Sequence, residues 1–191
     1  MSLEVNTLRA LAHPIRLRIL SLLTAASMSA ADLARELDIT QANASYHLRQ
    51  LAAVDLVVEA GERKIRGGVA KLYRYPLERA PAKLADDDEA RQLYAQTMAT
   101  EMVRRYALQQ KGKGTFTDAE LWVDPEVWND VVQATADASR RLHTEAKLPR
   151  TEGTVRVSMT TMLFEMRSTS SDANPDPEHD PDPDPDAEGP S

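Results

Sequence analysis

Between Thr40 and Arg49 stand six side chains able to bond base edges and phosphates: Thr40, Gln41, Asn43, Ser45, Tyr46 and Arg49. Asn pairs bidentately with adenine N6 and N7, and Arg reaches a guanine edge or a phosphate. A tyrosine stacks on sugar or touches a thymine methyl, while hydroxyls more often bond the phosphate backbone. Further along, Arg63, Lys64, Arg66 and Lys71 surround Gly67-Gly68. A cationic tip of that kind suits phosphates or a minor groove.

These side chains need two helices, a turn and a hairpin to position them. Val5, Leu8 and Leu11 predict a short amphipathic helix, and Pro14 suits the first turn of a second, where its missing N–H is not needed. Ile15, Leu17, Ile19, Leu20, Leu22 and Leu23 make that second helix largely buried, and Ser27–Ser29 breaks it. Ala31 to Leu37 follows, with Leu33 and Leu37 at i,i+4 toward a core. Asp38-Ile39-Thr40 reads as a turn, Ile39 filling the space between helices and Thr40 capping the next. From Gln41 to Ala53, the expected buried face is Ala44, Leu48, Leu51 and Ala52. Leu56–Ala60 and Lys71–Tyr75 then read as two strands with the basic loop between them. A helix–turn–helix with a wing behind it is an architecture that lays its second helix in a DNA major groove.

A blander reading makes the second helix an ordinary amphipathic element and the hairpin a solvated one, diluted by Glu59 and Glu62. Charge distribution favours the nucleic-acid reading. The net charge of −7 hides +3 over residues 1–80, −2 over 81–167 and −8 over 168–191. The basic excess coincides with the helix–turn–helix pattern.

Leu11-Ala-His-Pro-Ile-Arg-Leu-Arg-Ile-Leu20 and Thr40-Gln-Ala-Asn-Ala-Ser-Tyr-His-Leu48, at this separation, resemble the ArsR-type winged helix–turn–helix regulators. The resemblance spans roughly the first two fifths of the chain. It implies a dimeric bacterial transcription regulator, usually a repressor, that releases double-stranded DNA when an effector binds. Gln41, Asn43, Ser45, Tyr46 and Arg49 would then enter the groove of an imperfect inverted repeat. Ala42 stands where many relatives carry Pro. The metal-sensing branch of that family uses Cys pairs or Asp/His sets, but this chain has no Cys, and His13, His47, His143 and His179 are scattered. No metal and no cofactor are expected, and His13 and His47 read as structural, hydrogen-bonding histidines rather than ligands or pH sensors.

The fold class expected is α+β: a winged helix–turn–helix over 1–80, a small α-β-α-β module over 81–167 for dimerisation or effector binding, and a disordered Asp/Pro-rich tail over 168–191. Pro76 and Pro81 suggest a linker. Asp86–Glu89 opens a helix to about Gln110 carrying the stripe Tyr94, Met98, Met102 and Tyr106, most simply a core or dimer contact. Ala119–Val123 alternates as a strand, Asp124-Pro125 caps a helix to about Lys147, and Thr154–Met166 has strand composition. Met102, Trp122, Trp128 and Met162 could line an apolar effector pocket. Glu101 and Arg105 look like a surface i,i+4 pair. The acidic tail either only solubilises the chain or competes with DNA for the wing cations. No catalytic motif, signal peptide or membrane span is evident, so the expectation is a cytoplasmic non-enzyme. The alternative is a small-molecule or protein-binding module whose winged domain serves interaction or dimerisation.

Overall fold

The computed structural model describes residues 5–66, 68–76, 87–110 and 112–167. The chain forms two compact units, Met1–Thr161 and Met162–Ser191. The first holds α1 (Val5–Leu11), α2 (Pro14–Ala25), α3 (Ala30–Leu37), α4 (Gln41–Ala52), β1 (Val58–Ile65), β2 (Gly68–Arg74), α5 (Asp88–Tyr106) and α6 (Pro125–Thr144). The described part of the second, residues 162–167, contains no helix or strand. No helix among the described residues is long and apolar enough to cross a membrane.

The apolar periodicity of the first four helices converges on one core. Leu8, Ile19, Leu23, Leu33, Leu48, Leu51 and Val57 are essentially removed from solvent. Each such side chain contributes about 1.5–3 kcal/mol relative to exposure. The start of α5 joins through Ala90 and Tyr94. Ser29 caps α3 reciprocally: its hydroxyl accepts from the Asp32 N–H at 3.3 Å, while its own N–H donates to Asp32 at 3.0 Å. Asp38 ends α3 in the left-handed region (φ 55°), and half-buried Ile39 packs on the core as the plug of the turn. Thr40 Oγ1 then accepts from the Asn43 N–H at 3.2 Å, opening α4.

β1 and β2 form a two-stranded antiparallel sheet running from Val58↔Arg74 to Ile65↔Gly68. A bulge between Glu59 and Gly61 interrupts the register, and Gly61 takes the positive φ (116°) that this geometry requires. Met28 exchanges two backbone hydrogen bonds with Tyr73, which ties the hairpin to the loop before α3. The strands are longer than expected, so Arg63 and Lys64 lie within β1 rather than in a loop.

Several other expectations change. Ala52 is exposed, and His47 takes its place on the buried face of α4. α5 stops at Tyr106 and α6 at Thr144, each a few residues early. Asp124 stands before α6 without making a side-chain cap bond; Pro125 supplies the start. The largest difference is that 119–123 and 154–166 form no strand. Alternation says which side chains share a face, but a strand needs a ladder partner for its N–H and C=O groups. Neither segment has one among the described residues, so the described part of 81–167 holds helices and connecting chain without a sheet. Glu101 is buried, not a surface residue; its carboxylate accepts two bonds from Arg104 Nε and one from Nη2 at 2.7 Å, and Arg105 binds only its backbone oxygen. The expected linker falls partly, and the acidic tail wholly, outside the described residues.

Candidate nucleic-acid interface

α4 is held by one face and open on the other. Ala44, His47, Leu48 and Leu51 point into the core, which at 100° per residue sends Ala42, Tyr46 and Arg49 outward. Gln41, Ala42, Tyr46, Arg49 and Gln50 are exposed, while Asn43 and Ser45 are half-buried at the margins. Thr40 is exposed too, with its hydroxyl already engaged at the cap. Ala42 lies at the centre of the open face, where a methyl lets a helix axis approach a surface closely. Gln50 completes this row, and the same i,i+4 spacing from Tyr46 could have marked it as a site residue.

The four hairpin cations divide into two pairs. Arg63 Nη2 donates to Asp32 Oδ2 at 2.6 Å, and Lys71 Nζ donates to Glu59 Oε1 at 2.8 Å. Lys64 and Arg66 have no ion pair among the described residues and are exposed. Asp32 was not among the expected site residues, yet it joins the wing to α3. Its carboxylate takes the Ser29 N–H, the Ser29 hydroxyl at 2.7 Å, Arg35 and Arg63. Burial opposes its ionisation, but the Ser29 bonds and Arg63 outweigh that and hold its pKa at about 2. The Ser-x-x-Asp spacing marks the cap in sequence; nothing there marks the contact to Arg63.

Beneath the open face of α4, the His13 and His47 rings approach to 4.6 Å at a 47° tilt. His13 caps α2, its Nδ1 accepting from the Ile15 N–H at 3.2 Å, as a structural histidine should. His47 is buried and its Nδ1 has no hydrogen-bond partner among the described residues, which corrects the expectation for that ring. Instead it packs against His13 and the edge of Tyr46, 5.2 Å away. Burial and then Arg16 lower the His13 pKa; burial, His13 and Arg16 lower that of His47. Both rings are therefore mainly neutral near pH 7.

Of the effector candidates within the first unit, only Trp122 lines a depression. Trp122 lines an open depression of about 430 Å³ with Val123, Asp124 and Val127. Met102 is exposed and Trp128 half-buried, neither lining it, and Met162 belongs to the second unit. A larger cleft of about 600 Å³ is lined by Met28, Asp32, Arg35, Arg63 and the 148–150 segment. There Arg150 forks onto both Glu36 oxygens at 2.9–3.1 Å.

A family model described as "Helix-turn-helix domain" matches residues 11–60, from the end of α1 into β1. No curated relative matches the chain. Among solved structures, the chain is similar to the multiple antibiotic-resistance repressor (MarR) from Listeria monocytogenes 4b F2365. Identity is 14%, coverage is 70% of this chain and 72% of that one, and the TM-score is 0.24. The chain thus carries a helix–turn–helix domain, with a two-stranded hairpin behind its second helix.

Proposed function

We propose that this chain is a DNA-binding transcription regulator, acting as a dimeric repressor that a small non-metal effector relieves. The observation that carries the reading is the outward row of α4 together with Lys64 and Arg66 of the hairpin, exposed and without an ion pair among the described residues. Gln41, Asn43, Ser45, Tyr46 and Arg49 enter the major groove, Asn43 and Arg49 reading base edges. Thr40 and Ser45 bond phosphates, and Lys64 and Arg66 follow the backbone or a minor groove. Arg63 ties the wing to α3 through Asp32, and Lys71, on the other face of the hairpin, ties its two strands together through Glu59. Two subunits present two such helices to an imperfect inverted repeat. Met102, Trp122, Trp128 and Met162 remain the effector candidates, and the two tryptophans would report ligand binding by fluorescence.

The test is selection of fragmented genomic DNA by the full chain at two salt concentrations. A few sites sharing an inverted repeat and persisting at higher salt are expected; uniform recovery that vanishes with salt overturns sequence reading. On a selected site, Arg66→Ala should weaken all sequences alike and lower the salt slope by about 1. Asn43→Ala should instead relax preference at one position per half-site, costing about 1–3 kcal/mol there.

A further inference from the structure

α6 is a 20-residue amphipathic helix with no buried residue. One of its faces, Trp128, Thr135, Ser139 and His143, is half-covered within the chain, where the helix touches α2. Rotated by roughly a quarter turn at 100° per residue, Val127, Val131, Ala134, Ala138 and Leu142 form a second, open stripe. Val127, Val131 and Leu142 are 50%, 47% and 47% exposed. An apolar stripe of this length, distinct from the one already in use, calls for a partner helix.

Charge along α6 identifies the partner. Asp130, in the N-terminal half, and Arg141, in the C-terminal half, flank the open stripe on the same side. Asp130 has no ion pair among the described residues, and Arg141 is held only by Glu145 at 3.0 Å in an exposed pair, which is weak and readily exchanged. We propose that the open face of α6 pairs antiparallel with α6 of a second copy of this chain, about a two-fold axis near Ala134. That register sets Val127 opposite Leu142 and Val131 opposite Ala138. The small residues Ala134 and Ala138 fall at the crossing, where they permit an interaxial distance at the short end of about 8–10 Å. Each Asp130 then faces the second copy's Arg141, and symmetry makes the pair twice. A parallel arrangement would instead set the Asp130 and Arg141 flanks of the two copies on opposite sides of the seam, so that neither charge meets its counterpart. The inference rests on the dimer of the reading above and assigns its surface.

The chain has no cysteine, so one introduced thiol reports cleanly. Under mild oxidation the full chain carrying Ala134→Cys should cross-link into a covalent dimer, whereas Asn129→Cys, on the opposite face of α6, should not. By sedimentation, Asp130→Arg or Arg141→Asp alone should raise the dimer dissociation constant about tenfold or more, since each creates two like-charge contacts. The double reversal should restore it. Circular dichroism of every variant separates loss of pairing from loss of helix. A dimer that neither cross-links at Ala134→Cys nor responds to the single reversals overturns the proposal, because another surface then holds it. A chain that stays monomeric overturns it too, pointing to a different protein on this face. DNA selection on the same variants keeps the two readings apart: weakened dimerisation with the half-site preference intact leaves DNA reading standing.

Discussion

Residues 5–52 and residues 125–144 are both helical and both patterned at the helical period, yet the first set buries its apolar face within the chain and the second does not. α1 to α4 share one core, in which Leu8, Leu33 and Leu51 are fully enclosed. α6 encloses nothing. Stability in the first region is therefore a property of the single chain, and in the second, where α6 pairs as proposed, a property of concentration. The comparison teaches that an equal pattern in sequence can serve either folding or assembly, and that only burial distinguishes them.

The largest expected effect tests this directly. Leu51→Ala should cost about 2–5 kcal/mol in urea unfolding, through lost transfer energy and a cavity. Leu142→Ala, the same change on α6, should leave unfolding of the dilute chain nearly unchanged and appear only in self-association. Equal losses in the dilute chain would break the contrast.

Asp32→Asn comes next, because it weakens both the α3 cap and the tie to the wing. With a pKa of about 2 against an ordinary 3.8, the carboxylate contributes about 2 kcal/mol. That contribution is present above about pH 4 and is lost as the pH falls toward 2. Urea titrations from pH 5 down to pH 2 should show this slope in the parent chain and not in Asp32→Asn. DNA affinity of the variant should also fall, since Arg63 loses the partner that aligns the hairpin.

Thr40→Ala should cost about 1 kcal/mol by removing the α4 cap. Ser at the same position should restore most of it, and thermal unfolding reads both.

The smallest effect is the pH response of the histidine pair. Both rings have lowered pKa values in the fold, so the unfolded chain binds more protons just below the ordinary value of 6.5. Stability is full above about 6.5 and declines as the pH falls toward the lowered values. His47→Gln should flatten the decline between pH 7 and pH 5 relative to the parent chain. A parent chain equally stable across that range would mean that the buried ring is not the titrating group.

Much of α4 was legible because its signals are local. Thr40 as cap, Pro14 at a helix start, and Ala44, Leu48 and Leu51 on one face all follow from neighbours within four residues. His47 was harder, since a polar side chain on a buried face is decided by what packs above it, here His13 from α2. The division of the wing cations was not legible at all. Arg63 and Lys64 are adjacent in sequence, but opposite faces of β1 send one to Asp32 and leave the other without an ion pair among the described residues.

Glu101 shows the same limit: spacing proposed a surface pair, whereas packing buried the carboxylate and gave it Arg104. Ala119–Val123 and Thr154–Met166 carry strand alternation without a strand, because a ladder is a relation between two segments and alternation describes only one.

The sequence by itself determined the helix periods, the Thr40 cap, the hairpin and the distribution of charge, all properties of residues a few positions apart. The tertiary structure alone decided which apolar faces met a partner, which cations found an ion pair, and which histidine Nδ1 has no hydrogen-bond partner among the described residues. Those outcomes depend on residues distant in the chain becoming neighbours, as Asp32 and Arg63 do across 31 positions. Enclosure from water then sets what each contact contributes.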